Sequence, residues 1–153
     1  MNLKKINKKR GFTLIEILVV IGILAILATV VIVAINPALH FAEARNVQRE
    51  ANVDIILNGI GQNIVANKGT FVCAAITTLP VATTNLGTGA GLIDLTNCLS
   101  SYLPSGIPFD PNSGNSTDTK YSIAVTSALR YTVCAPNHQE AAITGSTAYC
   151  ITR

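Results

Sequence analysis

The residue with the most unusual surroundings is Glu16, a lone carboxylate in the stretch KKRGFTLIEILVV at residues 8–20. From Phe12 to Ile35 the chain runs 24 residues with no other ionisable side chain. A charge in such a run costs up to ~3 kcal/mol at the centre of a bilayer and less toward its edge, so it persists only with a partner or a role. Other chemistry is sparse. Four cysteines, Cys73, Cys98, Cys134 and Cys150, contain no C-x-x-C pair, and the histidines are His40 and His138 alone, which gives a zinc site little support. Both histidines are expected to be solvated rather than catalytic. Nucleophilic catalysis has no G-x-S-x-G elbow, no phosphate-binding glycine loop and no paired carboxylates beside a candidate acid. The single N-x-S/T sequon, at Asn115, marks an exposed loop. We assign no catalytic residue, no metal and no cofactor.

The elements that would carry these groups follow from charge and hydropathy. The 153 residues are 49% hydrophobic and only 12% charged, a ratio high for a soluble protein. Much of the excess is the run Phe12–Ile35, which as a helix spans roughly 36 Å against a hydrocarbon core of ~30 Å. Lys4, Lys5, Lys8, Lys9 and Arg10 precede it, so the net charge of +3 hides a chain that is net negative from Phe12 onward. That balance argues against a nucleic-acid surface. A basic flank stays in the cytoplasm, which places everything after Ile35 outside, where cysteines can oxidise. A cleaved secretory signal would have a shorter apolar run and a small-x-small site before a polar boundary; here "ATVVIVAINP" stays apolar until Asn36.

After Pro37 the pattern becomes amphipathic. Arg45, Arg49, Asn52 and Asp54 alternate with Val53, Ile56, Leu57, Ile60 and Ile64 at three- and four-residue steps, predicting a helix from about Ala38 to Lys68 with Gly69 as its C-cap. Pro37 is expected to kink or loosen the junction. Beyond Thr70, strands are expected at 120–125, 130–135 and 147–152 as an antiparallel meander, with a flexible connection at 83–92. A short helix at 96–104 would be capped by Thr96 or Asn97, and an ordered loop runs from Pro104 to Asp118.

The junction RGFTLIE, Arg10–Glu16, behind a basic leader and ahead of an apolar helix, resembles the type IV pilins and the pseudopilins of type II secretion. The likeness covers the leader and first helix closely and the remainder loosely. It implies that prepilin peptidase cuts between Gly11 and Phe12 and methylates the new amine of Phe12. It also implies that Glu16 neutralises the amine of a neighbouring subunit while helices pack in a filament. The family's helix-softening proline comes earlier than Pro37 does. The loop YLPSGIPFDPNSG is similar to a segment of major pseudopilins, some of which bind calcium there. Asp110, Asn112 and Asp118 could supply oxygens, but two carboxylates are few for calcium and an Asx turn is the expected role.

Of three cysteine pairings, Cys134–Cys150 with Cys73–Cys98 is favoured, because Cys134 and Cys150 fall in neighbouring candidate strands; four buried thiols are the alternative. The resulting expectation is an α+β, pilin-like fold: residues 1–11 a cytoplasmic leader, 12–36 a transmembrane and filament-core half-helix, 37–69 an amphipathic half, and 70–153 an extracytoplasmic head with a small antiparallel sheet. Its implied partners are the inner membrane before assembly, prepilin peptidase, the pilus assembly machinery, and sister subunits in a homopolymer or mixed pilin filament. The implied locations are a single-pass membrane protein with a cytoplasmic N-terminus and then a cell-surface or periplasm-spanning filament. Two other classes compete: a membrane-anchored binding domain that never polymerises, and a secreted enzyme, which would need a catalytic group this sequence does not offer.

Overall fold

The structure is a computed structural model that describes residues 11–74, 76 and 78–153; the basic leader, residues 1–10, lies outside the described residues. The chain divides into two units, one ending at Pro37 and the other Ala38–Arg153.

The first unit contains helix α1, Leu14–Ile35, none of whose residues is buried. It starts two residues later than the apolar run because Thr13 caps it from an extended conformation. Thr13 Oγ1 accepts the Glu16 N–H at 3.3 Å, and Glu16 Oε2 accepts the Thr13 N–H at 3.4 Å. This reciprocal capping box satisfies two donors that a helix start leaves open. Apolar side chains surround the helix on every side, as in a segment whose solvent is lipid or other helices. The helix stops at Asn36, which adopts the left-handed conformation (φ 46°, ψ 71°). A residue before proline is pushed away from the α region, and asparagine tolerates the left-handed one.

Helix α2, Pro37–Ala66, opens the second unit from Ala38 onward, with proline at its first helical position, where its missing N–H costs nothing. Its buried face runs Ala42, Asn46, Arg49, Val53, Ile56, Ile60, Asn63, flanked by Asn52 and Leu57. The four-three alternation keeps one stripe facing inward. The helix ends in a Schellman arrangement: Gly69 N–H reaches Ile64 O at 2.8 Å and Lys68 N–H reaches Val65 O at 3.4 Å. The left-handed residue is Lys68 (φ 59°), so Gly69 lies one position beyond its expected place in the cap.

Four antiparallel strands follow in the order β1-β2-β3-β4: Thr84–Asn85, Ser122–Val125, Tyr131–Ala135 and Tyr149–Thr152. The three later strands match the expected meander. Ile123, Val133 and Ile151 stand opposite one another on the face that shares a core with Val53, Ile56, Leu57 and Ile60; Ile64 is partly buried against it. The 83–92 segment is not a flexible connection. It supplies β1 and then continues beside residues 116–121, with Gly89 N–H bonded to Thr117 O and Thr119 N–H to Leu86 O. A Cβ on Gly87 would collide with the Thr117 carbonyl, so its glycine serves close backbone approach rather than flexibility. Helix α3, Thr96–Leu99, begins without a side-chain cap on the residue before it; instead the Asp94 carboxylate accepts the Thr96 N–H at 2.9 Å. Neither Thr96 nor Asn97 is the cap.

Candidate functional site

Two groups of residues carry charge or chemistry. The first is the segment before and inside the first turn of α1. Gly11 is exposed with open space around its Cα, and Phe12 is 80% exposed. Among the described residues nothing shields the peptide bond between them. Within the single chain Glu16 is brought to Thr13. The side-chain bond it accepts from the Thr13 N–H uses Oε2 and leaves Oε1 unengaged by the chain's own described atoms. The sequence reading passed over this role, although the T-x-x-E spacing of Thr13 and Glu16 signals it.

The second group is an ionic clasp in the head. Arg49, 1% exposed, points Nε at Asp110 Oδ2 at 2.5 Å and Nη1 at Glu140 Oε1 at 2.6 Å, and also reaches Asn46 Oδ1 at 2.9 Å. Arg45 adds a two-pronged contact to Glu140, at 2.7 and 3.0 Å. One α2 turn thereby holds two loops, the one containing Asp110 and the one joining β3 to β4. Burial pushes the Asp110 carboxyl up, but the Arg49 guanidinium and the backbone N–H groups of Ser113 and Asn112 outweigh it and bring it to about 2. Arg45 chiefly, against some burial and with help from Arg49, holds Glu140 at about 2. Asp110 Oδ1 accepts the N–H groups of Asn112 at 3.0 Å and Ser113 at 2.9 Å, which is the Asx turn read from the sequence. Asp118 pairs with Lys120 at 2.6 Å. The two candidate carboxylates are thus held by separate cations, and no group of three acidic, histidine or cysteine side chains suited to a metal occurs among the described residues.

Arg49 and Asn52 were read as polar positions between the apolar ones; both are buried. Asn52 Nδ2 donates to the Tyr121 hydroxyl at 2.9 Å, and that hydroxyl is pushed up by burial. His138 is not solvated either. Its ring nitrogens lie 3.0 Å from Glu50 Oε1 and from Thr147 O, and it stacks on Tyr149. His40 remains exposed beside Glu43.

The cysteines form two disulfides, Cys73–Cys98 and Cys134–Cys150. The second joins residues directly opposite each other on β3 and β4, at a close pair of the ladder with Cα atoms 4.1 Å apart. The first ties the segment after α2 to α3. Asn63 reinforces it, donating to Val72 O and Cys98 O and accepting the Val72 N–H.

Residues 6–32 match the prokaryotic N-terminal methylation motif. The match takes in Gly11, Phe12, Thr13, Glu16 and most of α1, and none of the head. No curated protein and no solved structure matches the chain.

Proposed function

We propose that this chain, whose methylation motif supports a type IV pilin-like or pseudopilin precursor, is a structural subunit that polymerises through α1 into a pilus or pseudopilus. The observation that carries the reading is the union of that motif with a 22-residue helix of which no residue is buried. A helix so apolar on all sides requires lipid or other helices as its surroundings. The motif implies a prepilin peptidase substrate and fits inner-membrane anchoring through α1 before assembly.

The finer steps follow from the chemistry of the segment. Cleavage between Gly11 and Phe12 removes the leader, residues 1–11, and creates an amine with an intrinsic pKa near ~8, still positive after one methylation. Residues 12–36 then serve as anchor and filament core, residues 37–69 as the amphipathic half, and residues 70–153 as the body of the head. The free Oε1 of Glu16 receives the Phe12 amine of a neighbouring subunit, and the pair sets the stagger between copies. Removing either partner in a water-poor core leaves an unpaired charge. The subunit's role is structural rather than catalytic.

The capping box favours a second reading, in which Glu16 only caps its own helix and the chain stays an anchored, non-polymerising head. Peptide mass spectrometry on sheared cell-surface material and on the membrane fraction decides between them. A chain beginning at N-methylated Phe12 in the sheared material is expected. A chain still beginning at Met1 and confined to the membrane would remove the polymerisation reading.

A further inference from the structure

The cations of the head fall into two sets. Arg45, Arg49, Lys120 and Arg153 each hold a carboxylate. Lys68 and Arg130 have no carboxylate partner among the described residues, and both are exposed. Each is the chain neighbour of residues lining one groove of about 620 Å³, which includes Gly69, Phe71, Leu129 and Tyr131. Leu129 and Val81, also in its lining, are 72% and 75% exposed. Two exposed cations with no carboxylate partner among the described residues thus flank the lining of this groove along the chain.

The carboxylates divide in the same manner. Asp54, Asp110, Asp118 and Glu140 are held by guanidinium or ammonium groups, Asp94 caps the Thr96 N–H, and Glu43 and Glu50 meet only the imidazoles of His40 and His138. Glu43, Val47 and Glu50 follow one another at four- and three-residue steps, so they form one stripe on α2. Val47 is 65% exposed, and the two glutamates are about half exposed. The stripe is therefore an exposed valine between two carboxylates that no guanidinium or ammonium group holds. At ~1.5 Å per residue the two charged regions are roughly 30 Å apart along α2, so a single chain cannot bring them together.

We infer that they meet between copies of this chain: the groove beside Lys68 and Arg130 on one head receives the Glu43–Val47–Glu50 stripe of another. The inference rests on the polymerisation proposed above. Two different faces engage in such a contact, which makes it heterologous, and it therefore propagates along a filament instead of closing into a two-fold dimer. Like charges face each other when heads are placed groove to groove or stripe to stripe, and this repulsion selects the head-to-tail order.

Charge reversal in the full-length chain tests it. Lys68→Glu with Arg130→Glu is one variant, Glu43→Lys with Glu50→Lys a second, and all four changes a third. Because Glu50 also fastens His138, the pair Glu43→Lys with Arg130→Glu is compared with its two single changes. The readout is sheared filament relative to the membrane pool. Each one-sided reversal is expected to lower it about tenfold or more, and the combined variants to recover to within about threefold of the parent. One-sided reversals that shear like the parent would overturn the inference, as would combined variants no better than the worse one-sided one. Loss on reversing the cations alone, with the glutamate reversals silent, would assign the groove to a different partner and overturn it too. A parent chain that yields no sheared filament would instead overturn polymerisation itself, and that outcome is read before any variant is made.

Discussion

Glu16 carries two demands that one substitution separates. Glutamine keeps an oxygen to accept the Thr13 N–H but cannot neutralise an amine. If the charge pairs subunits, Glu16→Gln should lose sheared filament as fully as Glu16→Ala while both remain inserted in the membrane. Rescue by glutamine would leave only the capping role. In the head, Arg49 is the residue on which most depends. Asp110→Asn strips a buried guanidinium of one of its two carboxylates, and we expect a loss of up to about 3 kcal/mol in thermal unfolding of the detergent-solubilised chain. The hydroxyl of Ser122 is different, since it is buried without a hydrogen-bond partner among the described residues. Ser122→Ala should therefore change unfolding by less than about 1 kcal/mol. Glu16 was legible because a charge in an apolar run is conspicuous. Arg49 was not, since an arginine between polar residues reads as solvated until the loops that bury it are in place. Its position on the four-three stripe that begins at Ala42 and Asn46 was the signal available.

Among the elements, the helix ends and the long excursion between β1 and β2 are the places where local conformation decides. Lys68 occupies a left-handed position that costs an L-residue roughly 1 kcal/mol and glycine almost nothing. Lys68→Gly should therefore hold or raise the head's stability by up to about 1 kcal/mol, a small gain because glycine also frees the unfolded chain. At Gly87 the opposite holds, since no side chain fits against the Thr117 carbonyl. Alanine there should cost about 2 kcal/mol or more and loosen hydrogen-exchange protection of residues 86–89. The three later strands were readable because β-branched and aromatic residues alternate in them. β1 was not: two residues carry no period, and the glycines that follow it have the composition of a linker, although Gly87 and Gly89 serve backbone contact. The break at Asn36 was foreshadowed by Pro37, although the sequence suggested a loosened helix rather than one that stops and restarts.

For the whole head, acid is the condition that should undo it. The folded-state carboxyls of Asp110 and Glu140 sit near 2, below their ordinary values. A depressed carboxyl stabilises the fold above its unfolded value and loses that contribution as pH falls toward the folded one. The thermal midpoint should thus be flat from about pH 8 to 5 and fall between about pH 5 and 2, with Asp110 alone contributing ~2 kcal/mol. The fall should be shallower in Asp110→Asn. The overall plan, an apolar helix followed by an α+β head, was legible because membrane-scale hydropathy and helical period are properties of long segments. The order in which the strands pair and the loops dock belongs to contacts far apart in sequence, which no local pattern encodes.

The fastening of α2 has a consequence for how such a chain is made. Arg153 reaches back to Asp54 and Asn58, and Glu140 reaches back to Arg45 and Arg49, across separations of 91 to 99 residues. When a chain crosses a membrane in order of its sequence, α2 emerges long before the residues that cover it. On the proposed export, Arg49 has no acid until Asp110 has crossed, and Cys134 waits for Cys150 on β4 while Cys73 and Cys98 are already outside. On the proposed topology, the export interval is thus when wrong disulfides and premature association would threaten the chain most. Oxidation delayed until Cys150 has crossed would be the safeguard its topology calls for.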